Sequence, residues 1–209
     1  MSIVKTILFT VALALSACAV PTADAARPSG AVEKAHAATV RIDMNNGVCS
    51  GTVIGKRTIL TATHCFKGAT TFEVDGKPIQ IADRVDDGND HSIIFTDRVF
   101  SYRAKFAGKP LAQRDEVYMW GNPNGMRDMY RHGVVAGFEQ DERPGSVPLT
   151  LIDMNIFQGD SGAGLFDSKG DIAGVASGVL NNVMQGTYAK YAVALPFAFK
   201  ATDVERATR

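Results

Sequence analysis

From Ala38 onward the chain is built from short runs in which apolar and polar residues alternate. Thr39-Val40-Arg41-Ile42-Asp43-Met44 is the clearest case. Its period of 2 is the spacing at which successive side chains face opposite sides of a sheet. Further strands are predicted over 53–54, 58–61, 71–74, 79–81 and 92–95. Asp75-Gly76 between two of them is a hairpin signal, and Asn46-Gly47 marks another turn. The second half continues with 116–120, a tight loop at Gly121-Asn122-Pro123-Asn124-Gly125, then 133–137, 149–154, 164–166, 172–176 and 191–195. So many short strands at close spacing predict an all-β barrel or sandwich. Residues 97–115 could join two halves, and only the tail over 197–209 reads as helical.

The first 37 residues follow a different pattern. Lys5 precedes an apolar run over 7–15, and the small residues Ser16, Ala17 and Cys18 follow. The run is too short for the roughly 20 helical residues that cross a bilayer, so it reads as an export signal. Two cleavage sites compete. Ala23-Asp24-Ala25 suits ordinary secretion; Leu15-Ser16-Ala17-Cys18 resembles the bacterial lipobox, whose Cys is lipidated, and is the preferred reading. The expectation is a signal peptide over 1–18 and a small, polar tether over 19–37. Location would be periplasmic or cell-surface with a lipid on Cys18, or else secreted.

Cysteine arithmetic agrees. The chain has three Cys. Cys49 and Cys65 can pair, which leaves Cys18 over, and lipidation or loss with the signal explains it. A bridge closing a loop of about 15 residues contributes roughly 3 kcal/mol in the chain-entropy model. Two free core thiols are the alternative. Composition narrows the partners: 45% hydrophobic residues suit a globular chain, and Lys+Arg equals Asp+Glu at 22 each, which weighs against nucleic acid.

The chemistry concentrates around His64 and Ser161. His64 stands in Thr61-Ala62-Thr63-His64-Cys65, after an apolar strand; Ser161 stands in Gly159-Asp160-Ser161-Gly162-Ala163-Gly164. A Ser hydroxyl becomes a nucleophile when a base accepts its proton, and a carboxylate fixes the tautomer of a His base. Glycines beside the Ser allow a turn that aims the N–H groups of Gly159 and Ser161 at one point, an oxyanion hole. These residues resemble the chymotrypsin-type serine proteases. Thr61 to Cys65 is similar to their T/S-A-A-H-C motif, the Ser161 segment to G-D-S-G-G-P with two departures, and Asp90-His91-Ser92-Ile93-Ile94 to D-I-A-L-L. The stretch from Glu116 to Gly125, followed by Gly133-Val134-Val135, resembles the high-temperature-requirement branch, here without its PDZ domain.

The resemblance covers about residues 38–197. It implies two six-stranded antiparallel β-barrels (about 38–100 and 101–197) with a short C-terminal helix, and a site in the cleft between them. It implies Ser161 as nucleophile, His64 as general base and acid, Asp90 as orienting carboxylate, and a Cys49–Cys65 disulfide. No cofactor or metal is implied. Chain order agrees, since no His follows His132 and the order Ser…Asp…His is therefore closed to Ser161. Asp43 is the rival acid, in the subtilisin order. Asp86, Asp87 and Asp90 crowd one loop but lack calcium-loop spacing. His91 is expected to face away from Asp90, and His36 and His132 to lie at the surface. Asp160 poses a problem: trypsin-like enzymes pair this Asp with a newly released N-terminus, yet no I-V-G-G activation site occurs, so a local partner is expected.

Substrate contacts are expected at Asn155, Gln158, Ala176, Ser177 and Gly178, with Ala192 and Ala194 in the pocket walls. A neutral Asn155 at the pocket floor predicts a small or medium uncharged side chain before the scissile bond. Ser177-Gly178-Val179 resembles the strand edge that binds substrate backbone. The function expected is an exported serine endopeptidase acting on proteins or peptides, with no indication of its oligomeric state. The rivals are a silent protease-fold binding protein and a small-ester hydrolase.

Overall fold

The computed structural model describes residues 30–140, 146–184 and 187–209, with the backbone alone for 182–184 and 187–189. The signal segment, Cys18 and most of the predicted tether lie outside the described residues. The tether expectation needs correction at its end, because Ala31–Ala38 form a helix, α1, with Ala35 and Ala38 buried. The segment reads as small and polar, but alanine is the strongest helix former and small enough for close packing.

The first sheet contains β1 (Thr39–Met44), β2 (Gly47–Gly55), β3 (Thr58–Ala62), β4 (Phe72–Val74), β5 (Lys77–Pro78), β6 (Ile81–Asp86) and β7 (His91–Thr96). Its order is β5-β4-β1-β2-β3-β7-β6. The second contains β8 (Glu116–Gly121), β9 (Met129–Glu139), β10 (Leu149–Asp153), β11 (Gly164–Phe166), β12 (Ile172–Val175), β13 (Gly178–Met184) and β14 (Thr187–Ala194), in the order β12-β11-β8-β9-β10-β14-β13. A C-terminal helix, α2 (Ala201–Thr208), follows.

The architecture is therefore mostly β, as expected, with seven strands in each sheet rather than six. The additional strands are those whose patterns the alternation hides. The predicted strand at 79–81 falls between β5 and β6 and shares only Ile81 with β6, which is largely exposed and polar. β13 carries Asn181-Asn182 in its middle. The Asp75-Gly76 turn has φ of 52° and 73°, both positive, as a tight two-residue hairpin requires.

Three buried clusters hold the molecule together. One lies within each sheet, around Ile42, Val53 and Ile94 in the first and Met119, Ile152 and Leu165 in the second. The third lies between them and takes Ile54 and Leu60 from the first sheet, Trp120 and Phe166 from the second, and Ala35, Ala38 and Ala207 from the helices. The small alanines let both helices sit close over this seam. The two sheets thus share a core, which fixes the groups that face each other at their junction.

Candidate active site

Strand register brings His64 to Asp90. β3 pairs with β7 so that Ala62 faces His91. The residues just beyond that pair, Thr63-His64 on one side and Asp90 on the other, must then meet. Thr63 N–H donates to the Asp90 carbonyl at 2.9 Å, and His64 N–H donates to Asp90 Oδ1 at 3.0 Å. Asp90 has φ of 65°, a left-handed conformation that Asp tolerates better than most residues. The imidazole Nδ1 lies 2.8 Å from Asp90 Oδ2 and 3.1 Å from Oδ1. A carboxylate accepts only, so Nδ1 carries the hydrogen and Nε2 keeps its lone pair. The hydrogen bond to Asp90 raises the His64 pKa above the ordinary imidazole value; partial burial opposes this and the Asp90 charge adds to it.

The Ser161 loop is bolted to the first sheet. The Ser161 carbonyl accepts Ser50 N–H at 2.8 Å, and the Ser50 hydroxyl donates to the Gly159 carbonyl at 2.8 Å. That hydroxyl also accepts from Asn122 N and Nδ2 at 3.1 and 2.9 Å, so its hydrogen-bonding capacity is filled across the junction. Gly162 has φ of 86°, and a Cβ there would sit 2.1 Å from Thr61 Oγ1 and 2.2 Å from the Ser50 carbonyl. Only glycine lets the loop press this closely on the end of β3. The Cys49–Cys65 disulfide joins β2 to the turn that carries His64, and Cys65 Sγ lies 3.8 Å from the Ser161 carbonyl.

Peptide planarity then sets where the loop's N–H groups point, because N–H and C=O of one trans peptide face opposite ways. The Gln158 carbonyl accepts Asn124 N–H at 2.6 Å, which turns Gly159 N–H the other way. The Asp160 carbonyl accepts Ala163 N–H at 2.9 Å, which does the same for Ser161 N–H. Neither Gly159 N–H nor Ser161 N–H has an acceptor among the described residues, whereas Asp160 N–H between them is bonded to the Phe157 carbonyl. Two unengaged donors flanking a satisfied one is the arrangement that an oxyanion would use. The Ser161 hydroxyl makes no hydrogen bond among the described residues; such bonds in free enzymes often form only with substrate.

The remaining predicted residues divide. Asn155 and Gln158 are exposed, and Ala176 is fully buried with its N–H and carbonyl bonded to Ala163 and Gly162. Ala192 and Ala194 are core residues of the second sheet. Ser177, Gly178, Val179 and Leu180 line a cavity of about 230 Å³ that reaches Asp90. A larger cavity of about 430 Å³, between Phe106, Phe138 and Phe197, has Ala194 in its lining but none of the other predicted substrate contacts. Asp43, the rival acid, is bonded to Arg41. In the crowded acidic loop each carboxylate has its own partner: Asp86 takes Arg84 and Ser92, Asp87 takes His91, and Asp90 takes His64. His91 faces away from Asp90, buried against Phe197 and Phe199.

Three residues escaped the sequence reading: Ser50, Asn122 and Arg131. Arg131 bonds Asp160 at 3.0 Å. Its signal was present, since Arg131 is in phase with the inward-facing Gly133 and Val135 of β9, and an inward charge on a strand calls for a partner. Ser50 and Asn122 carry no such pattern.

Two antiparallel sheets with these groups at their junction make the fold chymotrypsin-like. The Rv3671c protease of M. tuberculosis has the same fold. Its Ser-to-Ala mutant in the inactive form superposes with a TM-score of 0.66, 20% identity, and coverage of 85% of this chain and 87% of that one. Its active form gives a TM-score of 0.64, 20% identity, and coverage of 85% and 82%. No curated protein matches the chain by sequence. Residues 49–175, more than half of the chain, match the trypsin-like peptidase domain family, and the chain belongs to that family.

Proposed function

We propose that the protein is an exported serine endopeptidase in which Ser161 attacks the peptide carbonyl. The Ser161 Oγ–carbon bond forms as His64 Nε2 takes the hydroxyl proton, and the carbonyl oxygen becomes an oxyanion bound by the Gly159 and Ser161 N–H groups. Collapse breaks the C–N bond, with His64 returning the proton to the leaving amine. Water then releases the acyl group by the reverse proton path. Asp90 holds the imidazole tautomer and stabilises its charged form. The observation that carries this reading is the His64 imidazole, fixed through Nδ1 by Asp90 beside the bolted Ser161 loop.

The test is labelling by a fluorophosphonate. Wild type should react, and Ser161→Ala and His64→Ala should not; an unreactive wild type would leave the fold as a binding protein. A peptide-against-ester panel then separates endopeptidase from esterase. The apolar cavity beside Ser177 supports uncharged side chains in the substrate, and a cleavage profile dominated by Arg would refute this. Export is supported by the Cys49–Cys65 disulfide, which an oxidising compartment permits. Intact mass of the mature protein reads whether Cys18 carries lipid.

A further inference from the structure

The second sheet leaves one end of its core open. Thr150 on β10 and Ala194 on β14 are cross-strand partners on the face that carries the buried Ile152 and Ala192. Both line the cavity of about 430 Å³ between Phe106, Phe138 and Phe197. The connecting segment 106–111 forms one wall and Pro196-Phe197 another. The Phe106 and Phe197 rings meet edge to face at 5.3 Å. Phe138 is 51% exposed, so an occupant would cover a large aromatic ring. The volume falls within the range of small-molecule sites, about 300–1,000 Å³. Polar side chains are few. Among the described residues that line the cavity, Lys109 alone is charged and Thr150 alone carries a hydroxyl. Lys109 is 72% exposed, and the Asp115 Oδ2 that it approaches at 3.9 Å already accepts Ala112 N–H at 2.9 Å.

We propose that this cavity binds a fatty-acid carboxylate, with the hydrocarbon chain among the three Phe rings and the carboxylate paired with Lys109 where the cavity meets solvent. The chain gains by leaving water and by filling space that otherwise supplies no packing partner. Charge selects the head group: the lining presents one loosely engaged cation and no carboxylate to oppose an anion. A peptide is the poorer occupant. Each of its buried amide groups needs a partner, and the lining side chains offer only Lys109 and Thr150. An alkyl chain needs none. The site has a route to the rest of the fold through Phe197. That ring lies 4.8 Å from the His91 ring, and the next residue, Ala198, donates its N–H to Asp87. The site requires no chemistry at Ser161, so its test stands apart from the peptidase reading.

The test is calorimetric titration of the whole protein with laurate below its micellar concentration, beside dodecanol as a neutral probe and laurylamine as a cationic one. Laurate should saturate one site and bind tighter than dodecanol, and laurylamine should bind weakest. Lys109→Glu should weaken laurate by about tenfold, the size expected when an exposed attraction becomes a repulsion, and leave dodecanol unchanged. Ala173→Trp, which fills the cavity from a half-buried position on β12, should abolish binding of both. Laurate should also slow hydrogen exchange at the Ala107 and Ala198 N–H groups, which sit in or beside the two walls. If Ala173→Trp fails to fold, the Lys109→Glu ratio and hydrogen exchange decide. No saturation by laurate, equal affinity for laurate and dodecanol, or full laurate affinity in Lys109→Glu overturns the proposal. Tighter binding of a short peptide ending in Phe-Phe than of laurate overturns it as well.

Discussion

Two Asp–His pairs sit at the same strand end and have opposite fates. His64–Asp90 closes at 2.8 Å with the side chains 44% and 26% exposed, and His91–Asp87 closes at 2.7 Å with both fully buried. In each, Nδ1 meets a carboxylate, so each imidazole has its tautomer chosen for it. The difference lies at Nε2. The His64 ring is partly exposed, so its Nε2 side is open to solvent. His91 Nε2 is buried with no hydrogen-bond partner among the described residues, and its ring packs against Phe197 and Phe199. The same pair of groups is therefore open to solvent in one case, as the proposed proton acceptor requires, and sealed into the fold as a brace in the other. The brace has its own task. Asp87 also accepts the N–H groups of Asn89, His91 and Ala198, which ties the loop before Asp90 to the segment leading into α2.

The widest separation between the pairs should appear in turnover. Asp90→Asn keeps the shape of the side chain but presents an amide to Nδ1, which can select the wrong tautomer. A loss of about 10⁴ in kcat is expected, with KM and the unfolding midpoint nearly unchanged. Asp87→Asn should lose far less turnover, because its partner touches no substrate. Equal losses in kcat would erase the distinction between acceptor and brace.

Stability should reverse the order. Asp87 is a buried carboxylate that accepts from His91 and three backbone N–H groups, and leaving such buried groups without a matched partner costs about 1–3 kcal/mol. Asp87→Asn should fall in that range by urea unfolding at neutral pH. Asp90→Asn should stay within about 1 kcal/mol, the usual size for partly exposed pairs. A fully stable Asp87→Asn would mean that the three backbone N–H donors, and not His91, hold the loop.

The His64–Asp90 contact was legible in the sequence and the His91–Asp87 contact was not. His64, Asp90 and Ser161 stand in segments whose composition is unusual for a strand end, and the absence of any His after His132 closes the order Ser…Asp…His to Ser161. Asp87 and His91 look like members of an acidic turn, because nothing in the sequence states which carboxylate will be buried. Alternation found the strands with one apolar face, such as β1, a continuous apolar run found β7, and Asp75-Gly76 marked the turn. Alternation failed at β6 and β13, where exposed or polar residues break the pattern. α1 was read as tether because its alanines bury little area each and show no strong stripe. Ser50 and Asn122 were invisible for another reason: their role exists only once two distant segments meet across the junction.

The smallest effect is the pH dependence, and it tests whether the two pairs act independently. The peptidase reading needs neutral His64, so kcat/KM should fall as pH drops through a His64 pKa raised above the ordinary imidazole value by Asp90. Asp90→Asn should move that limb to lower pH, and Asp87→Asn should leave it in place. In stability the windows are opposite. A His pKa raised in the folded state stabilises the fold below the unfolded value, and that contribution fades as pH rises through the folded one. Burial alone would push Asp87 up, but His91 and the N–H groups of Ala198 and Asn89 together hold it below the ordinary carboxylate range. Its contribution is therefore present above the unfolded carboxylate value and lost as pH falls through the folded one. The stability gap between wild type and Asp90→Asn should thus widen on going from pH 8 to pH 5, roughly across the imidazole range. The Asp87→Asn gap should hold over that span and close only in stronger acid. If both gaps moved together between pH 5 and 8, the two pairs would not act independently, and the loop between them would be transmitting charge rather than separating it.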